Sequence, residues 1–174
     1  MAAAPAVRIE ALVDYYPRFA FEGRANFLAP ERRQSVSADL SVLSGMVAAH
    51  VDLPAPGVPR LGPFDPFVGA GIGAARIRIG ETVMTFPRTT TIVPGAQRTG
   101  LAWMVTAGLS APLGARTRLD VAWRCTDLGI VETGTGMGRV VWRDDSRPPL
   151  PLDLAATRAK LRSHGLRLSL RHAC

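Results

Sequence analysis

Four stretches of the chain alternate between apolar and polar side chains with a period of two, and this alternation constrains the fold more than any other feature. Successive side chains of a β-strand point to opposite faces of the sheet, so the alternation predicts strands whose two faces differ in chemistry. The stretches are residues 7–16, 101–111, 119–126 and 166–172. In the first of them, Val7, Ile9, Val13 and Tyr15 share one face, and the opposite face carries three charges.

Two further segments, residues 37–53 and 66–79, predict strands with a weaker pattern. In the first, the alternation slips near Ser44 and Gly45, as a β-bulge would cause. In the second, glycines occupy one face as far as Gly73, and the phase beyond Ala74 is left open. The sequence therefore predicts six strands in an all-β, antiparallel fold.

The segments between these strands differ in length in a regular way. Short or moderate connections are expected at 54–65 and 112–118, and long polar ones at about 20–36, 80–99 and 127–155. Long loops at one end and shorter turns at the other are typical of up-and-down β-barrels in outer membranes.

Length and composition support a single domain over residues 1–174 and exclude several classes of function. No uninterrupted apolar run of about 18 residues occurs, so helical membrane spans are not expected. The formal charge is +7, but the basic residues are scattered arginines with Lys160 as the sole lysine, so no nucleic-acid partner is expected. The first five residues lack the basic and apolar regions of a secretory signal.

Alternation alone does not decide which face points inward. A soluble sandwich buries the apolar face, whereas a membrane barrel turns it to lipid and keeps charges in its lumen. We expect the second arrangement, because glycines on one face of residues 67–73 suit a narrow lumen and because Asp120 lies within reach of Arg124 or Arg171. The residues expected to face the lumen are Arg8, Glu10, Asp14, Asp120, Arg124, Arg167 and Arg171. The aromatic residues expected at the lipid interface are Tyr15, Trp103 and Trp123.

Three motifs carry a resemblance to a known family. Residues 66–74 read PFVGAGIGA, residues 119–129 read LDVAWRCTDLG, and residues 164–174 read HGLRLSLRHAC. The first resembles the proline–aromatic–Val-Gly-x-Gly-x-Gly strand of OmpA-like and opacity-type outer-membrane β-barrels. The second and third are similar to a later strand and the closing strand of that family, and all three occur in the family's order.

The resemblance implies an eight-stranded transmembrane barrel in the bacterial outer membrane, a monomer without catalytic activity. Its implied partners are outer-membrane lipid, lipopolysaccharide and the barrel assembly machinery. Because six strands are recognisable, we expect that a first hairpin and a signal peptide are missing from the N-terminus, through either a mis-called start codon or a truncated gene. Two further departures are Cys174, where the family ends in phenylalanine, and His172, where it has tyrosine.

Other chemistry receives little support from the sequence. Residues 69–74 match the dinucleotide fingerprint formally, but the strand continues and residues 88–97 contain no acidic residue, so no cofactor is expected. Cys125 and Cys174 are expected to lie too far apart for a disulfide. No metal-type spacing joins them to a histidine.

Two functional alternatives remain beside the non-catalytic envelope barrel. One is a soluble lipocalin-like barrel or β-sandwich that binds an apolar ligand. The other is a lipid A-modifying barrel enzyme, for which Ser163 and His164 are the only suggestive pair.

Overall fold

The computed structural model describes residues 7–25, 30–53 and 64–172. They form ten β-strands and one short 3-10 turn at Pro30–Arg32, with no α-helix in these ranges. The strands are β1 (Val7–Ala25), β2 (Gln34–Asp52), β3 (Asp65–Ile79), β4 (Thr82–Thr85), β5 (Thr89–Val93), β6 (Ala96–Pro112), β7 (Thr117–Glu132), β8 (Gly136–Trp142), β9 (Leu150–Leu154) and β10 (Arg158–His172). The predicted all-β, antiparallel, up-and-down architecture is confirmed.

Six long strands form the body of the molecule, in the order β1-β2-β3-β6-β7-β10. Every neighbouring pair is antiparallel, and the β2–β3 register runs without a break from Leu40 opposite Ile79 to Asp52 opposite Phe67. We call the end with the β2–β3 and β6–β7 connections the turn end. The opposite end, with the connections of β1 to β2, β3 to β6 and β7 to β10, is the loop end.

The loop end carries the four short strands, which the sequence analysis had assigned to loops. β4 pairs with the part of β2 that extends past β3, and β5, β8 and β9 follow in turn. The predictions of six strands and of loops at 80–99 and 127–155 were therefore wrong. The loop predicted at about 20–36 was also too long, because β1 continues to Ala25 and β2 begins at Gln34. Residues 89–93 read TTTIV, and threonine was counted as a polar loop residue although its β-branched side chain favours strands.

The two faces of the long strands differ sharply in exposure. The apolar residues of the alternating stretches lie on the outer face, where Ile9 is 76 % and Leu166 83 % exposed. The inner face is buried and includes Met104, which is only 1 % exposed. Side chains of β1 contact β7 and β10 across the inner face, so the sheet curls around an interior.

The expected bulge near Ser44 and Gly45 is absent, because alternate residues of β2 from Ala38 to His50 are buried without interruption. The irregularity lies instead in β1, where the register with β2 shifts between Tyr16 and Phe19. Pro17 stands at this shift, and a proline cannot donate to the ladder, which explains the interruption there.

The sheet is open along one side. Within the described ranges, β1 pairs only with β2 and β10 only with β7, so each has one unpaired edge. The closed eight-stranded ring implied by the resemblance is therefore not found in this part of the chain. We call the gap between β1 and β10 the seam. No helix among the described residues is long and apolar enough to cross a membrane.

Candidate functional site

The turn end of the interior holds six charged side chains, which we call the ionic layer. It consists of Arg8 and Glu10 on β1, Asp52 on β2, Asp120 on β7, and Arg167 and Arg171 on β10. These strands are the two edge strands of the six-stranded body and the strand beside each of them, so it is the curling of the sheet that brings the six residues together. Asp52 was missed by the sequence analysis.

Arg8 is the centre of the ionic layer. Its Nη2 donates to Asp52 Oδ1 at 3.0 Å, and its Nη1 lies 3.2 Å from Glu10 Oε1 and 3.4 Å from Asp120 Oδ2. The guanidinium carbon also stands 5.0 Å from the centre of the Phe67 ring, within the range of a cation–π interaction. One arginine of β1 is thereby tied to β2, β3 and β7.

The β10 side of the layer is held in a similar way. Arg171 Nη2 donates to Ser110 Oγ at 2.9 Å and lies 3.4 Å from Asp120 Oδ1. Arg167 lies 3.6 Å from Glu10 across the seam. The layer contains three arginines and three carboxylates, so it is neutral, as burial of charged groups requires.

A second ion pair lies nearer the middle of the interior. Arg124 Nη2 donates to Asp14 Oδ1 at 2.8 Å, and Ser44 Oγ lies 3.4 Å from the other carboxylate oxygen. The sequence placed Arg124 within reach of Asp120 because the two share a strand face. The structure pairs Arg124 with Asp14 of β1 instead, because the curled sheet turns β1 towards β7.

His50 is buried beside the ionic layer and packs edge-on against Phe67, with the ring centroids 5.9 Å apart. A Cβ atom at Gly69 would lie 2.4 Å from the His50 ring. Gly69 therefore leaves the space that the imidazole occupies, which is consistent with the expectation that glycines of this strand face inward.

Beyond the ionic layer, towards the loop end, the interior is apolar. We call this cluster the apolar plug; its most buried members are Leu40, Val42, Met46, Ala48, Ala75, Ile77, Ala102, Met104 and Leu128. Met46 and Met104 are flexible side chains suited to filling irregular space between strands. Side chains thus fill the interior at both levels, with ion pairs at the turn end and hydrocarbon above.

The three aromatic residues selected from the sequence all lie on the outer face. Tyr15 is 66 %, Trp103 41 % and Trp123 46 % exposed. They stand on β1, β6 and β7 among exposed aliphatic side chains, and together these residues form an apolar belt around the outside.

A cleft of 510 Å³ opens at the seam. Its lining includes Asp14 and Tyr16 from β1, Arg124 from β7, and Ser163 and Arg167 from β10. The cleft shows that the two sheet edges stand apart although Arg167 and Glu10 contact each other across the gap.

The structure offers little support for a metal or catalytic centre. Among the described residues, no group of three or more His, Cys, Asp or Glu could hold a metal ion. Ser163 is half-buried on the inner face, whereas His164 is exposed on the outer face, so the two do not form a pair. Cys125 is a free thiol, and the prediction about Cys174 lies outside the described residues.

Four polar residues that line or contact the interior ion pairs were not selected from the sequence: Ser44, His50, Asp52 and Ser110. An unbroken alternation from Ala38 would have placed the first three on one face of β2. The sequence instead suggested a slip at Ser44. Both faces of β2 are largely apolar near this residue, so polarity does not show which side chains point inward.

Comparison with known proteins gives no relative for this chain: no family model, curated protein or solved structure matches it.

Proposed function

We propose that this chain is a non-catalytic, integral outer-membrane β-barrel protein. The observation that supports the proposal is the distribution of side chains, which is inverted relative to a soluble protein. Long aliphatic and aromatic residues cover the outer face of the sheet, and ion pairs occupy its inner face. Such a surface is stable where hydrocarbon, not water, surrounds it.

The size of the apolar belt supports the same conclusion. From Val7 to Tyr15, alternate outward residues of β1 span eight residue steps, or about 26 Å along the strand at about 3.3 Å per residue. The apolar band of outer-membrane barrels is about 25 Å tall, so a tilted strand covers most of it. An exposed apolar surface of this length is unusual for a soluble monomer, on which exposed apolar patches rarely exceed a few hundred Å².

The filled interior argues for a structural or surface role over solute conduction. The ionic layer and the apolar plug occupy successive levels of the interior, as expected for small barrels. The short strands at the loop end would then make the contacts with molecules outside the cell. Outer-membrane lipid, lipopolysaccharide and the barrel assembly machinery are the partners that this proposal implies for a monomer.

The proposal requires the seam to close in the membrane. Unpaired backbone groups of β1 and β10 would otherwise face lipid, at a cost of several kcal/mol for each group. A hairpin inserted between these edges, as in the eight-stranded barrels that the chain resembles, would pair both of them.

Tryptophan quenching by lipids brominated on their acyl chains tests the proposal. Three variants would each keep a single tryptophan: Trp103, Trp123 or Trp142. Trp103 and Trp123 lie in the apolar belt, and Trp142 ends β8 at the loop end. After refolding into vesicles, we expect strong quenching of the first two and weak quenching of the third.

The matched control is Trp142, which shares the chain and the refolding procedure. A monodisperse product in detergent-free buffer, with none of the three quenched by vesicles, would overturn the membrane assignment. That result would favour the soluble barrel or sandwich.

A further inference from the structure

We propose that Arg76, Arg78 and Gln97 form a binding site for the phosphate group of a membrane lipid. The site lies on the outer face of β3 and β6, at the loop-end border of the apolar belt. The inference rests on the proposed function, in which this border meets the headgroups of the bilayer.

The position of the two arginines is set by the alternation of β3. Its outward residues are Val68, Ala70, Ile72 and Ala74, followed by Arg76 and Arg78. The change from apolar to polar falls at the same level on β6, where Leu101 is opposite Ala74 and Thr99 is opposite Arg76. The arginines therefore stand directly above the apolar belt.

The two guanidinium groups converge on a single neutral acceptor. Arg76 Nη2 donates to Gln97 Oε1 at 2.9 Å, and Arg78 Nη2 donates to the same oxygen at 3.1 Å. The two nitrogens are therefore no farther apart than the sum of these distances, 6.0 Å. An amide oxygen supplies partial negative charge only, so the pair keeps its double positive charge.

Three other arginines of the long strands near the loop end, Arg98, Arg158 and Arg162, have carboxylate partners. Arg98 and Arg158 both bond to Glu132, and Arg162 bonds to Asp127 at 2.9 Å. For Arg76 and Arg78, no carboxylate of the described residues lies within 4.0 Å, the limit for an ion pair. Two cations held side by side without an anion form a site that an external anion would stabilise.

A phosphate group has enough oxygens to accept hydrogen bonds from both arginines at once. A guanidinium group presents planar pairs of donors that match the oxygens of phosphate, and two such groups can share one phosphate. Because the apolar belt begins one residue pair below, the ligand that contacts both surfaces carries acyl chains beside its phosphate. The site therefore selects a phosphorylated lipid over a free ion.

Native mass spectrometry of the full chain, refolded in detergent, tests the site. The probes are a short-chain phosphatidic acid and the diacylglycerol that lacks its phosphate. We expect phosphatidic acid to bind the native chain preferentially, and R76Q/R78Q to weaken that binding about tenfold or more, since charge-assisted hydrogen bonds are lost. The control R139Q/R143Q removes the same charge from exposed positions at the loop end and should change binding less than about twofold.

A third variant, Gln97→Glu, separates phosphate binding from a purely structural role. Its single carboxylate would accept hydrogen bonds from both arginines and lower their combined charge from +2 to +1. Lipid binding should therefore fall, though less than in R76Q/R78Q, while resistance to unfolding is kept or increased. Unchanged lipid binding in Gln97→Glu or in R76Q/R78Q would overturn the site. Equal losses in the control would also do so, because general charge would then explain the binding.

An excess of inorganic phosphate distinguishes the two sources of the ligand. If it displaces phosphatidic acid completely, the site takes free phosphate, and the assignment to a lipid is wrong. Persistent lipid binding supports the proposal. Tryptophan quenching reports membrane insertion separately, so loss of phosphate preference in an inserted chain refutes this site alone.

Discussion

The two ends of the interior lie behind the same apolar belt and yet are filled by opposite chemistry. At the turn end, the ionic layer joins four strands through ion pairs. Removing one charge from such a layer leaves its partner buried without a counter-charge, which strongly destabilises the fold. Towards the loop end, the apolar plug relies on shape and volume, which yield gradually to substitution. The comparison shows that strands with an apolar outer face can be packed inside either by ion pairs or by hydrocarbon.

The inner face of β3 explains how one strand serves both ends. Nearer the turn end it presents Gly69 and Gly71, which leave space for the side chains of His50 and Met104, and Gly73, which lies against the backbone of β2. Nearer the loop end it presents Ala75, Ile77 and Ile79, which fill the interior themselves. The change from glycine to aliphatic residues marks the border between the two regions.

The largest effect is expected for Asp120→Asn in the ionic layer. This carboxylate is 6 % exposed and contacts both Arg8 and Arg171, so its loss leaves two arginines short of a counter-charge. We expect the free energy of unfolding to fall by about 4 kcal/mol, measured by urea denaturation in detergent micelles. The control Asp153→Asn, exposed on β9, should be almost neutral; equal stability of the two variants would contradict the role of the ionic layer.

A smaller loss, of about 3 kcal/mol, is expected for Met104→Ala in the apolar plug, because a fully buried side chain leaves a cavity. The same denaturation experiment measures it, with the half-buried Met84 of β4 as the control. If Met104→Ala lowered the free energy of unfolding more than Asp120→Asn does, the apolar plug and not the ionic layer would contribute more to stability.

At the border of the two regions, Gly73→Ala is expected to cost about 2 kcal/mol through overpacking. A Cβ atom there would lie 2.0 Å from the carbonyl oxygen of Gly45 and 2.6 Å from Met46 Cα, both backbone atoms. Gly45→Ala is the matched control, since nothing lies within 4 Å of its added Cβ atom. Thermal denaturation of both variants checks the difference, and similar midpoints would show that β3 does not need glycine.

The smallest effect is expected for the pair Asp14 and Arg124, which belongs to neither region. A double-mutant cycle with Asp14→Asn and Arg124→Gln should give a coupling energy of about 1 kcal/mol. The short hydrogen bond strengthens the interaction, and the partial exposure of both side chains weakens it. The denaturation midpoints of the four proteins supply the coupling. A value near zero would mean that β1 is held to β7 by the ionic layer alone.

The body of the fold was predictable because its strands differ from face to face. One face of residues 101–111 is entirely apolar and the other includes Thr106 and Ser110, and the structure makes this stretch part of β6. The strands at the loop end were not predictable in the same way. Residues 89–93 lack alternation, since β5 is half-buried along most of its length and its register comes from β4 and β8.

The interior contacts were predictable as a set of residues but not as pairs. Alternation places Arg8, Asp120 and Arg124 on the inner faces of their strands. The carboxylate that pairs with each arginine depends on the curvature of the whole sheet. The pattern of a single strand carries no information about that curvature. For this reason the sequence left Arg124 and Arg171 as alternative partners of Asp120. The structure joins Arg171 to Asp120 and Arg124 to Asp14.

The neutrality of the interior has a consequence for the field around the molecule. The ionic layer and the Asp14–Arg124 pair use four arginines and four carboxylates, so the whole net charge of +7 lies outside them. These groups therefore give the interior no net charge of either sign. The positive potential belongs to the remaining surface, where it reaches about 8 Å at physiological ionic strength. Approaching anions would therefore be steered along the outside of the molecule and not into its interior.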